Sequence, residues 1–176
     1  MPEAPTMKRL MILILVIIVL GGVTGGLAYL RASHKNEEGT SCIYPGYGEM
    51  NARVLNLAKE NVSLHVGESA KISGTVEGKA FLVGEKTCHY SGHLTLRAYL
   101  GPFVSRNSWS YISEKLRDVE GLKVEINPSE IALSPGKSVA FTLKVTPESA
   151  GAYYLYVVAT SDRGWKSWDV IEIEVS

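Results

Sequence analysis

The chain has 176 residues, with 18 Lys and Arg against 18 Asp and Glu, no formal net charge and an isoelectric point near 6.9. No basic run or patch breaks that balance, which argues against a nucleic-acid partner. Beyond an apolar N-terminal stretch about 145 residues remain, enough for one domain with a real core.

Residues 1–9 read as a short N-terminal tail. Leu10 to Leu30 is a stretch of 21 uncharged residues, preceded by Lys8 and Arg9 and followed by Arg31. At about 1.5 Å per residue a helix of this length covers the roughly 30 Å hydrocarbon core of a bilayer. Residues 10–30 are therefore expected to be a single transmembrane signal-anchor, with Tyr29 and Arg31 at the interface. The alternative is a cleaved signal peptide, because Gly26-Leu27-Ala28 has the small-x-small form of a cleavage site. On the anchor reading the membrane is a partner, and on both readings the remainder is expected to be extracytoplasmic. Within the stretch, Gly21 with Gly25 and Gly22 with Gly26 form two overlapping GxxxG spacings. Such glycines let helix backbones approach closely and mark a candidate helix-packing face.

Residues 31–41 are polar and read as a linker to a domain spanning 42–176. The two cysteines, Cys42 and Cys88, are an even count in an exported domain, and a disulfide between them is expected. It would close a loop of about 46 residues, worth roughly 3 to 4 kcal/mol in the chain-entropy view.

From Val62 onward the pattern is β almost throughout. Val62–Val66 alternates, Gly67-Glu68 turns, and Ala70, Ile72, Gly74 and Val76 share one face of the next strand. Leu94, Leu96, Ala98 and Leu100 share a face of another. Leu122–Ile126 is short and stops at Asn127-Pro128. Ile131–Leu133 leads into the turn Ser134-Pro135-Gly136, after which Val139, Phe141, Leu143 and Val145 alternate. Tyr153, Leu155, Val157 and Ala159 follow, then Ile171, Ile173 and Val175, with Glu172 and Glu174 opposite. Strands of this length with turn signals every 8 to 12 residues or so predict an all-β antiparallel sandwich. One helix is expected, because Ile112, Leu116 and Val119 have helical spacing between Ser110 and Gly121; it would cross between the halves of the sandwich. Val62–Ala70 and Ile131–Val139 also resemble each other, each a strand, a Gly turn and a strand, and are expected to be equivalent hairpins.

The run Glu130–Pro147 with its Leu133-Ser-Pro-Gly-Lys-Ser turn, followed by Gly151-Ala-Tyr153, resembles the Ig-like modules of prokaryotic surface proteins of the CARDB and NPCBM-associated types. Gly151-x-Tyr153 is also similar to the tyrosine corner of Ig-like domains, in which the phenol hydroxyl bonds upstream backbone. The resemblance implies an Ig-like β-sandwich serving as a spacer, adhesion or assembly module, and it implies no active site.

Chemistry is sparse. His89 and His93 lie four residues apart, about 13 Å along a strand, too far to share a metal unless a loop folds one onto the other. No metal-ligand spacing, nucleophile motif or phosphate loop is present, so no enzyme, metal or cofactor is expected. Aromatic residues are the better lead. Asp162-Arg163-Gly164-Trp165-Lys166-Ser167-Trp168 reads as a hairpin turn carrying two tryptophans, and exposed tryptophan anchors protein contacts or stacks on sugars. Trp165, Arg163 and Asp162 are accordingly expected to touch a partner, as are Tyr154 and Tyr156, which face opposite to Tyr153. Asn61-Val62-Ser63 is a candidate glycosylation site at Asn61. The resulting expectation is a non-catalytic, membrane-anchored, extracytoplasmic module that binds surface or membrane proteins. The alternatives are a glycan-binding module and an accessory subunit of a membrane enzyme or electron-transfer complex.

Overall fold

In the computed structural model, residues 54–104 and 109–176 are described. The expected membrane segment with Gly21, Gly22, Gly25 and Gly26, the linker, and Cys42 all lie outside the described residues.

Among the described residues, eleven strands and one short helix follow in chain order: β1 (Leu55–Leu57), β2 (Asn61–Leu64), β3 (Ala70–Glu77), β4 (Ala80–Val83), β5 (Lys86–His89), β6 (Gly92–Gly101), α1 (Trp109–Ser113), β7 (Leu122–Asn127), β8 (Glu130–Leu133), β9 (Ser138–Pro147), β10 (Gly151–Ser161) and β11 (Lys166–Val175). They build a four-stranded sheet in the order β1-β3-β9-β7, a five-stranded sheet in the order β2-β11-β10-β6-β8, and a separate β4-β5 hairpin. All pairings are antiparallel except β2 with β11, where Asn61 aligns with Glu172 and Leu64 with Val175.

The alternation read from the sequence sets which residues face inward. Ile72 and Val76, Leu94, Leu96 and Leu100, Phe141, Leu143 and Val145, Leu155 and Val157, and Ile171 and Ile173 are buried in one core between the sheets. Burying a large aliphatic or aromatic side chain contributes about 1.5 to 3 kcal/mol, so this shared layer is what holds the sheets together. Gly74 belongs to the same inward series because its cross-strand neighbour is Phe141, whose ring occupies the space a Cβ would need. The Ig-like architecture is reinforced by Tyr153, whose hydroxyl donates to the Ser149 carbonyl at 3.0 Å, four residues upstream, as the resemblance to a tyrosine corner implies. Gly121 makes room for that ring: its φ is +76°, and a Cβ there would meet the Tyr153 hydroxyl at 2.9 Å.

Three local expectations need correction. The two similar strand–turn–strand units are arches rather than hairpins. β2 and β8 lie on opposite edges of the five-stranded sheet, whereas β3 and β9 are neighbours at the centre of the four-stranded one. Each Gly turn, with Gly67 at φ +83° and Gly136 at φ +66°, therefore carries the chain from one sheet to the other. The helix is also shorter than its apolar spacing suggests. α1 ends at Ser113, and Arg117 exchanges two backbone hydrogen bonds of 2.9 Å with Leu100, which pulls the chain out of helical geometry. Ile112 and Leu116 then pack on the outside of the five-stranded sheet and Val119 against the inner core, while the segment as a whole does cross between the sheets. Finally, β1 and the β4-β5 hairpin were not expected. β1 is fastened by side chains of β11: Ser167 Oγ accepts from the backbone N–H of Leu55 at 3.0 Å, and Asp169 Oδ2 from that of Leu57 at 2.8 Å.

Candidate functional site

Trp165 is the first sequence-predicted site residue to be corrected. It is 0% exposed and belongs to the core, with its indole N–H donating to the Ser91 carbonyl at 3.0 Å and its ring edge-on to Tyr90 at 5.3 Å. The cause is parity. Residue 165 is in phase with Ser167, Ile171, Ile173 and Val175, the inward face of β11, and Gly164 at φ +87° completes the turn just before it. Trp165 thus closes one end of the sandwich beneath Tyr90 and cannot anchor a partner or stack on a sugar.

Asp162 and Arg163 stay at the surface of that turn, where they fasten it to the start of β6. Asp162 Oδ1 accepts from the His93 N–H at 3.1 Å, its own N–H donates to the His93 carbonyl at 2.9 Å, and Arg163 Nη1 donates to Ser91 Oγ at 3.1 Å. Among the described residues, no group of three or more His, Cys, Asp or Glu side chains gathers in a way that could hold a metal ion. Cys88 is buried on β5, and Asn61 is exposed on β2.

The aromatic residues gather elsewhere, on the outer face of β6, β10 and β11. Outward-facing positions of these strands carry Tyr99, Tyr154, Tyr156, Val158, Trp168 and Val170, in register across the sheet: Tyr156 aligns with Tyr99 on one side and Val170 on the other, and Val158 with Trp168. The segment leaving β6 folds back over this face, with Ile112, Leu116 and Trp109 packed on it. Trp109 and Trp168 approach to 5.5 Å, and Lys166 Nζ sits 4.7 Å above the Trp109 ring, a cation–π contact. A cleft runs beside α1, floored by Tyr99, Leu116 and Val158 and rimmed by Trp109, Arg117, Asp118 and Lys166.

The two tyrosines expected to face a partner differ in role. Tyr156 is sealed under the returning segment, with its hydroxyl donating to the Pro102 carbonyl at 2.7 Å; its expected contact role is therefore corrected to a structural one. Burial raises its pKa, opposed by a backbone hydrogen bond at Val104. Tyr154 remains partly exposed. Its hydroxyl donates to Glu172 Oε1 at 2.9 Å, and that bond to a carboxylate, followed by desolvation and the Glu172 and Glu174 charges, raises its pKa. Beside it stands Phe103, 61% exposed, with ring centroids 5.3 Å apart. Tyr111, 47% exposed, projects from α1 with Lys115 Nζ 4.6 Å from its ring. Phe103 went unnoticed in the sequence because it lies past Gly101-Pro102, outside any alternating run; Tyr99 was signalled by its parity opposite Leu100.

No protein-family model matches the chain, and no curated protein does. Among solved structures, domains 4 and 5 of the S-layer protein SbsC are similar at 14% identity and a TM-score of 0.40, covering 69% of this chain and 50% of that one. The PapD-like domain 7 of human CEP192 is similar at 9% identity and 0.38, covering 78% and 93%. WR4, a member of the MSP family of C. elegans, is similar at 7% and 0.40, covering 70% and 98%. The chain thus spans about half of the S-layer chain. Likenesses this low carry no argument about function, and the sandwich described above rests on its own strand pairings.

Proposed function

We infer that the protein is a non-catalytic, membrane-tethered module that holds an Ig-like sandwich outside the cell and binds a protein partner through the outer aromatic face of its five-stranded sheet. The observation that carries this reading is the pairing of two solvent-directed rings, Phe103 and Tyr111, with a partly buried aromatic bed of Tyr99, Trp109, Tyr154 and Trp168. Interface anchors are typically aromatic residues set among well-packed neighbours, whereas rings at the surface of a domain that binds nothing gain little from exposure.

Tethering by residues 10–30 and a Cys42–Cys88 disulfide complete the proposal. Their support is the uncharged 21-residue stretch, the even cysteine count and the buried position of Cys88 on β5. Protease added to intact cells should digest the domain, and alkylation of the exported chain without reductant should label neither cysteine.

The decisive experiment is a pull-down from gently solubilised membranes with the wild type and with the double variant Phe103→Ser/Tyr111→Ser. Both rings are exposed, so the variant should keep its melting temperature and lose a partner that the wild type retains, by about 2 kcal/mol or more of binding free energy if they are anchors. Equal capture by both proteins would refute the assignment of this face.

A further inference from the structure

The outer side of β7 is unpaired among the described residues, and its backbone phase can be read from one bond. The Glu148 N–H donates to the Gly121 carbonyl at 2.8 Å, so along an antiparallel ladder Lys123, Glu125 and Asn127 turn their backbone groups toward β9. Leu122, Val124 and Ile126 therefore turn their N–H and C=O groups outward. The side chains of these three point into the sandwich, but Val124 and Ile126 are only partly covered. They form one wall of a groove that continues through Leu96, Ala98 and Val119, on the side where β6 and the short β8 do not close over β7. An edge of this kind, with no proline within it, is a template for another strand.

The charges on the opposite face of β7 say which strand fits. Lys123 and Glu125 stand on the outside of the sheet, both more than half exposed, with Glu125 3.7 Å from Lys144 and 3.9 Å from Lys123. Lay β7 antiparallel to a second β7 with Val124 opposite Val124. The outward backbone groups of Leu122, Val124 and Ile126 then meet those of Ile126, Val124 and Leu122. Lys123 of each copy comes to lie directly opposite Glu125 of the other, in non-hydrogen-bonded pairs whose Cα atoms are about 4.5 Å apart. Sliding the register by two residues places Lys123 against Lys123, or Glu125 against Glu125, and like charges directly opposite one another are unfavourable. A single in-phase register is thus both hydrogen-bonded and charge-complementary, and it is its own mate under a two-fold axis, as an isologous interface requires.

We propose that β7 is a self-association edge, through which two copies of the chain join β7 to β7 into one continuous eight-stranded sheet, four strands from each. The apolar groove at the open flank of each sandwich is then shielded by the strand of the other copy. The exposed ion pairs fix the register more than they add affinity.

The test is sedimentation equilibrium of the full chain in density-matched mild detergent over a range of concentrations. The wild type should show a reversible dimer. Lys123→Glu and Glu125→Lys each place four like charges across the axis and should each weaken the dimer at least about tenfold. The combined swap K123E/E125K restores opposite charges at every position across the axis, leaves Lys144 beside a lysine in monomer and dimer alike, and should recover the wild-type affinity to within about threefold. Circular dichroism should be the same for all four proteins, since these side chains are exposed. A wild type that stays monomeric overturns the proposal. So do single variants that dimerise as well as the wild type, which would place any contact elsewhere, including the apolar N-terminal stretch. A double swap no tighter than the single variants also overturns it, because the register is then wrong.

Discussion

Trp165→Ala removes the side chain that closes one end of the core. The indole is fully buried, so the loss combines its transfer free energy with the cavity left behind, about 3 to 5 kcal/mol for a buried Trp. The Ser91 carbonyl also loses its donor, and a buried acceptor left unpaired costs about 1 to 3 kcal/mol unless water reaches it. Because a new cavity admits water to that carbonyl, the two terms overlap, and about 4 to 5 kcal/mol in total is expected. Against a typical stability of about 5 to 15 kcal/mol this leaves a marginal fold. With a urea slope of about 2 kcal/mol per molar, the unfolding midpoint should fall by roughly 2 M, read by circular dichroism in the β-sheet band. Trp165→Phe keeps the ring contact with Tyr90 and loses only the donor, so it should fall by about half as much or less. Trp168→Ala is the control: it sits on the outer face, loses mainly its contact with Trp109, and should cost about 1 kcal/mol. If the Trp165→Ala midpoint moves no further than that of Trp168→Ala, the indole is not a core element and the loop regains its standing as a contact surface.

Two further outcomes follow from packing and protonation. Gly74→Ala drives a methyl into the Phe141 ring and should cost about 1 to 3 kcal/mol, with much of the loss recovered in Gly74→Ala/Phe141→Leu; additive losses in the thermal melts of the single and double variants would count against that contact. Tyr154 and Tyr156 both have folded pKa values raised above 10.0, so the folded state holds these protons longer than the unfolded one. Their contribution is intact below pH 10.0 and is lost as pH rises through the raised values, so stability should decline there, and less steeply in Tyr156→Phe; an unchanged decline would remove Tyr156 from the account.

Alternation made the large strands legible. β3, β6, β9, β10 and β11 bury the residues that alternation assigns to the inward face, although β10 buries Tyr156 and Val158 on its outer face as well. What the sequence could not convey is which sheet a strand joins. Gly67 and Gly136 would serve a hairpin as well as an arch, and the choice depends on partners far along the chain, such as β9 for β3. The β4-β5 hairpin was missed because Ala80-Phe-Leu-Val83 is uniformly apolar and carries no alternation in its sequence, although its exposure alternates in the structure, with Leu82 pointing to solvent at 72% exposure. Trp165 was legible after all: counting back in twos from Val175 puts it inside, but its neighbours in a polar turn suggested otherwise. The aromatic face was half visible, in Tyr154, Tyr156 and Trp168; its coherence arises only when the segment after β6 folds back over β10.

The fastening of β1 and β2 onto β11 has a consequence for vectorial synthesis. Val54 N–H reaches Ser167 Oγ across 113 residues, and β2 aligns with the far end of the same strand. Strand β2, among the first made, therefore has no lateral partner until β11, the last, has emerged, whereas β1 can already pair with β3. β10 and β11, joined by a short turn, form a local hairpin that can assemble within microseconds, whereas the long-range closures must wait and are slow. A nascent chain lacking Lys166–Val175 offers β2 no strand to pair with, so that edge of the five-stranded sheet stays open. The five-stranded sheet is therefore completed only when the last strand is made, and the order of synthesis itself delays closure of that side of the sandwich.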